Sequence, residues 1–409
     1  MRTASSDSCC MRCIGNGVRT VLGTCLLMVA CTESGAVPSF ATRDSAGVEI
    51  VENADPAWGA ESEWSVAASP ALDLGVAAGQ PEYEFVTILG LTRLLNGNIV
   101  VANRGTRELR FFSPAGEFIR AVGREGEGPG EFRNFNGAYR YGEDSLLVWD
   151  YRLFRWSLFD TAGVFGRIIQ PSRPLMNPRA LAPLDDGTLL LADTWIDDVE
   201  RRTIDHQRII RFARNGGGAD SLGAFRARET FRSNDGAPVS MGRIFGASLV
   251  RAATADGFLI GSGEEYEVLD YDASGKLRRR IRWRGEDRTV GAADVEAYRA
   301  RFRETWTGAD ETSHAFLRLL DEVPSAEQFP AYANLIVDTD GNLWLAAYPR
   351  PSREGPRLWT VIDGTGRWLG EVALPEDLEV WEIGADYVLG VFDDEFGVEQ
   401  VRKYRLIKE

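Results

Sequence analysis

NGNIVVANRGTRELRFFSPAGEFIRAVG, residues 96–123, opens on a tight turn and then alternates strand and turn to its end. Asn96-Gly97 suits a two-residue reversal, and Ile99 to Ala102 forms an apolar strand. A polar break follows from Asn103, then a second strand ending in Phe111-Phe112, a Ser-Pro-Ala-Gly turn and a third strand to Val122. The same order returns from Glu143, Asp186, Asp256, Asp340 and Ala385. A further short strand precedes each turn, as in ILGLTRLL (88–95) and ANLIVD (333–338). Four strands per unit in six units spell an all-β, six-bladed β-propeller with four-stranded blades.

Two spacings between successive turns, 70 and 84 residues, exceed one unit and imply insertions. The longer holds Val295, Tyr298 and Phe302, then Phe316, Leu319 and Leu320, at helical spacing, so a small helical insertion is expected near 289–325. It would serve as a lid, a plug or a rim element. The sixth unit stops after its third strand, QVRKYRLIK (400–408). Its missing outer strand is expected from SEWSVAASPALDLG (62–75), which would join both ends of the ring in one blade.

VGREGEGPGEFRNF (122–135) has the glycine content of a phosphate-cradling loop. Such a loop must open a helix whose N-terminal N–H groups face the anion. Here the following EFRNFNGAYRY reads as another strand, so the stretch is a joint between blades.

The first unit resembles an NHL repeat over residues 90–133, in its turn glycine, RFF, AGEF and glycine-rich exit. More loosely, the ring is similar to TolB-like six-bladed propellers. The resemblance implies a binding scaffold. Some relatives in the wider six-bladed class are calcium-dependent hydrolases or lyases, with the site at the axial channel.

All five cysteines lie within the first 31 residues: Cys9, Cys10, Cys13, Cys25 and Cys31. Arg19 and the apolar run from Val21 to Ala30 suit a signal peptide over 1–30, with Met11 as an alternative start. Met28-Val29-Ala30-Cys31 resembles a bacterial lipobox, which would make Cys31 the lipidated N-terminus. A flexible tether is expected over 31–46 and the propeller over 47–409. The implied address is the bacterial cell envelope, with the outer membrane favoured because Thr32 is not aspartate. The net charge of −15 disfavours nucleic acid as a partner. A monomer is expected.

Only His206 and His314 are present, and no GxSxG elbow exists, so zinc and a Ser-His-Asp triad are both disfavoured. VDTDGNLW (337–344) reads as a turn rather than a calcium loop. Asn103, Asp150 and Asp193 recur at one repeat position, where Gly263 and Ala347 stand in later units. They would bond the following turn or, alternatively, hold calcium; no other cofactor is expected.

The first three links between blades, expected at 123–137, 171–179 and 225–246, hold eight arginines against five acidic residues, which would favour an anionic ligand. Arg93 and Arg140, at equivalent inner-strand positions, would add to that charge. Tyr151, Trp195, Tyr266 and Tyr348 follow second strands and would line a pocket or pack between blades. The expected ligand-binding set is Asn103, Arg104, Asp150, Arg152, Asp193, Glu264, Tyr266 and Arg350. The expected function is binding of a small anionic, peptide or protein ligand at the loop-rich face. A calcium-dependent hydrolase or lyase is the alternative.

Overall fold

Each apolar strand of the repeat buries both of its faces. Ile99 and Val101 pack toward the sixth blade, while Val100 and Ala102 pack toward the second. Such a strand reads as a continuous apolar run, and its sheet must be sandwiched between two others. The computed structural model describes residues 39–59, 63–199, 202–233, 237–308, 310–351, 353 and 355–408. The signal peptide, Cys31 and the first half of the expected tether, 31–38, lie outside these residues.

Within them six sheets form the blades of a six-bladed β-propeller. The inner strands are Ile88–Arg93, Phe135–Tyr141, Pro178–Pro183, Val250–Thr254, Asn334–Val337 and Leu378–Ile383. Each neighbours the next, and the last returns to the first. Six apolar clusters fill the spaces between adjacent blades. The expected closure is present: Trp64–Val66 and Leu72–Leu74 pair antiparallel with Glu399–Lys408, and Leu74 lies opposite Val401.

Two segments depart from expectation. Phe40–Ser45 and Val48–Asn53 form a hairpin, so the chain is sheet well before residue 46. Ala46 and Gly47 turn it at φ 55° and 80°, the paired positive values of a type I′ reversal. Its second strand runs parallel to Leu277–Trp283 and widens the fourth blade to six strands, with Val51 fully buried opposite Ile281. In the third blade, Leu189–Val199, Arg202–Phe212 and Asp220–Arg232 run without the expected polar break. The stretch from 225 to 232, expected as link, belongs to the outer strand, and Ser240–Gly242 adds a fifth. In this arm Trp195 lies opposite His206, the two rings stacked at 5.1 Å.

The insertion forms helices α1 (Ala292–Thr305) and α2 (Glu311–Glu322). Ala315, Leu319 and Leu320 of α2 pack with Val239, Met241 and Phe245 of the link between the third and fourth blades. Backbone bonds from Ile244 to Pro324 and from Ala326 to Ile244 tie the two segments together. The insertion thus packs on the link that follows the third blade and has its own core.

Candidate functional site

The recurring Asn and Asp residues fasten the joints between blades. Asp150 is fully buried and accepts four backbone N–H bonds, from Arg133 (2.8 Å), Asn134 (3.2 Å), Arg152 and Leu153 (both 2.9 Å). Asp193 accepts from Met176 N and Asn177 N and from the Arg208 guanidinium at 3.1 Å. Asn103 accepts from Val86 N at 2.7 Å and donates to Thr106. All four acceptor positions of the Asp150 carboxylate are taken by N–H donors, which leaves none for a cation, while Asp193 and Asn103 each keep one. Among the described residues no group of His, Cys, Asp and Glu side chains gathers as a metal site. Asp338, in VDTDGNLW, likewise accepts from Asp340 N, Asn342 and the Trp344 indole, as a turn residue does.

The glycine-rich stretch 122–135 is held by the same device. Buried Arg155 donates to the carbonyls of Glu127, Gly128 and Glu131, while Asp150 takes the N–H groups at its end. Gly123 has φ 95°, and a Cβ there would meet the Phe132 ring at 2.7 Å. Strand Phe135–Tyr141 follows, with no helix for a phosphate to cap.

The expected binding residues do not converge. Arg104 and Arg152 stand exposed on turns beside the buried Asn103 and Asp150. Glu264, Tyr266 and Arg350 do meet, around a residue the sequence did not single out. Arg288, buried, donates to the carbonyls of Phe329 (2.6 Å) and Glu264 (2.8 Å) and lies 5.1 Å over the Tyr266 ring. Arg350 pairs with Glu286 at 3.0 Å and lies over Phe329. Burial raises the Tyr266 hydroxyl, the Glu286 carboxylate adds to this, and the Arg288 charge opposes it.

Four of the eight arginines in the links are paired locally. Arg124 meets Glu131 at 2.6 Å, Arg133 meets Glu127 at 3.0 Å, Arg228 meets Asp205 at 2.7 Å and Arg232 meets Asp198 at 2.9 Å. Glu229 is the exception. This single carboxylate, only 10% exposed, serves Arg202 at 2.8 Å, Arg243 at 3.3 Å and Arg226 at 4.0 Å. Two of these guanidiniums, Arg226 and Arg243, border an open cleft of about 500 Å³ between the third blade's outer strand, the following link and Gln328–Pro330. Arg226, Arg228, Arg243 and Arg288 line it with the carboxylates Glu229 and Glu264, so positive charge is in excess along its wall.

A second cavity, of about 770 Å³, lies on the axis and is lined from all six inner strands. Its rim is made by turn residues such as Leu95, Gly142 and Asp185, so it opens away from the long links. Residues 82–151 match the DUF5128 family model, a 6-bladed beta-propeller. Similar solved structures include a member of the DUF4221 family from Bacteroides vulgatus, 9% identical with a TM-score of 0.49 over 85% of this chain and 99% of that one. Virginiamycin B lyase from Staphylococcus aureus is 8% identical, with a TM-score of 0.41 over 84% of this chain and 100% of that one. A gluconolactonase from Xanthomonas campestris is 11% identical, also with a TM-score of 0.41, over 84% and 100%. These neighbours bring no chemistry to this chain. No curated protein matches its sequence.

Proposed function

We propose that the chain is an exported, NHL-like binding propeller, tethered to an envelope membrane through lipidated Cys31, that takes an acidic peptide or protein segment in the cleft on its loop-rich face. The observation that carries this reading is the crowding of Arg202, Arg226 and Arg243 on the one carboxylate of Glu229 beside that cleft. In a chain of net charge −15, a local excess of guanidinium steers and orients a carboxylate-bearing partner. The saturated carboxylate of Asp150, committed to four backbone N–H groups, favours binding over calcium-dependent catalysis.

Charge reversal tests the cleft. Arg226 and Arg243 keep 55% and 39% of their side-chain surface in water, so Arg226→Glu with Arg243→Glu disturbs little packing, and an unchanged circular dichroism spectrum should show that the double variant is folded. Anisotropy of a labelled ten-residue oligoglutamate should show salt-sensitive binding that weakens roughly 100-fold or more in the double variant, two charge-assisted contacts being lost. Equal binding by both proteins, or none by either, sinks the proposal. For the anchor, Cys31→Ala should move the protein from the detergent phase to the aqueous phase. Unchanged partitioning would refute lipidation, since a stable anchor of this kind depends on the acyl chains.

A further inference from the structure

The register of the blades places one residue from each inner strand at a common level of the axial cavity. Thr92, Tyr139, Ala182, Arg251, Ile336 and Glu382 lie opposite Val100, Leu147, Leu190, Ile260, Trp344 and Leu389 of the second strands. All six line the cavity. On one side the groups satisfy each other: Glu382 accepts from the Thr92 hydroxyl (2.8 Å), from Arg93 N (3.1 Å) and from the Tyr387 hydroxyl, and Arg140 stands 4.0 Å away.

On the other side Arg251 sits between Ala182 and Ile336, its neighbours around the ring. Among the described residues it makes no ion pair and no side-chain hydrogen bond, and its Nε is buried without a partner. The indole N–H of Trp381, which also lines the cavity, is buried and unpartnered too. Burial lowers the Arg251 guanidinium, with Tyr139 opposing and Arg179 adding to the effect. Burial in turn pushes the Tyr139 hydroxyl up to about 12, with Arg251 pulling it down.

Arg251 is partly exposed, with Nε buried and the rest of its guanidinium open to the cavity, so it is partly desolvated with no counter-ion to offset that cost. Leu91, Leu181 and Leu335 line the same space, whose volume suits a small organic molecule rather than a bare ion. We infer that the axial cavity is a second binding site, separate from the cleft on the loop-rich face, for a small organic carboxylate: Arg251 takes the carboxylate, and the leucines, Ala182 and Ile336 surround its apolar body. Guanidinium and carboxylate match as two parallel hydrogen bonds, which is the geometry this choice of ligand rests on. Glu143 and Asp185 at the rim are exposed and screened by water, and do not neutralise the interior.

Titration calorimetry of the full propeller with benzoate, hexanoate, benzamide and inorganic phosphate tests this. Benzoate or hexanoate should bind, benzamide should not, and phosphate should bind far more weakly. Arg251→Gln should weaken the carboxylate roughly ten- to hundredfold, the loss of a charge-assisted contact. The same variant, free of ligand, should melt at a higher temperature than the parent, because an uncompensated charge has been removed. A lower melting temperature or failure to fold would mean that Arg251 is a structural residue, and would overturn the proposal. Phosphate binding as tightly as the carboxylates, or no carboxylate binding at all, would overturn it as well. Trp381→Phe, which removes only the N–H, should weaken the carboxylate while leaving the melting temperature nearly unchanged; unaltered affinity would remove the indole from the site. Charge reversal at Arg226 and Arg243 should leave carboxylate binding untouched, so the two sites stand or fall separately.

Discussion

Asp150→Ala should lower the unfolding free energy by about 4 kcal/mol, measured by urea denaturation of the propeller. The carboxylate is fully buried and accepts four backbone N–H groups, two from the joint that enters the second blade and two from the turn that follows its own strand. A buried donor left without an acceptor costs about 1–3 kcal/mol, and four together exceed what a single entering water can restore. Asp150→Asn should recover part of the loss, because one amide oxygen still accepts from one side. If the alanine variant unfolds within about 1 kcal/mol of the parent, the joints are held by packing alone, and the recurring aspartate needs another explanation.

Leu74→Asp should open the ring. Leu74 lies in the strand that closes the sixth blade, 5% exposed, paired with Val401 and packed with Ile88 and Leu389 in the core shared with the first blade. The change removes about 2–3 kcal/mol of apolar burial and adds the desolvation of a carboxylate, so a loss of about 4–5 kcal/mol is expected. Its signature should be local as well as global. Hydrogen exchange should rise first along Glu399–Lys408, whose outer partner is lost, and then along Ile88–Arg93 across the same core. Uniform exchange across all six blades would show that closure at this blade holds no special place in the ring.

What was legible in the chain follows from how a propeller buries its strands. Runs such as IVVA at 99–102 and LLVW at 146–149 are apolar on both faces and end in turn residues, so six units could be counted directly. The closing strand was legible for a related reason: a sixth unit lacking its outer strand needs one from elsewhere. The hairpin Phe40–Asn53 was not, because Ser45-Ala46-Gly47 carries no Asn-Gly or Asp-Gly signal and its parallel partner, Leu277–Trp283, is remote in sequence. The arm of the third blade was hidden because its strands pair beyond the core, where polar residues such as Asp197, Asp198 and Arg202 suit a solvated ladder.

The candidate sites divide in the same way. The sequence by itself determined the blade count, the mode of closure, the helical insertion and the recurring position of Asn103, Asp150 and Asp193, because each depends on local periodicity or on repetition. It could not say which arginines pair. Eight arginines in the links read as one positive mouth; tertiary structure puts four of them in local ion pairs and two on the crowded carboxylate of Glu229. Nor could it bring Arg251 to the level of Thr92, Tyr139 and Glu382, since that level exists only once strand register and blade order are both set. Backbone pattern is written in neighbouring residues, whereas charge balance is a property of distance in space, and in a ring the facing residues come from blades far apart in the chain.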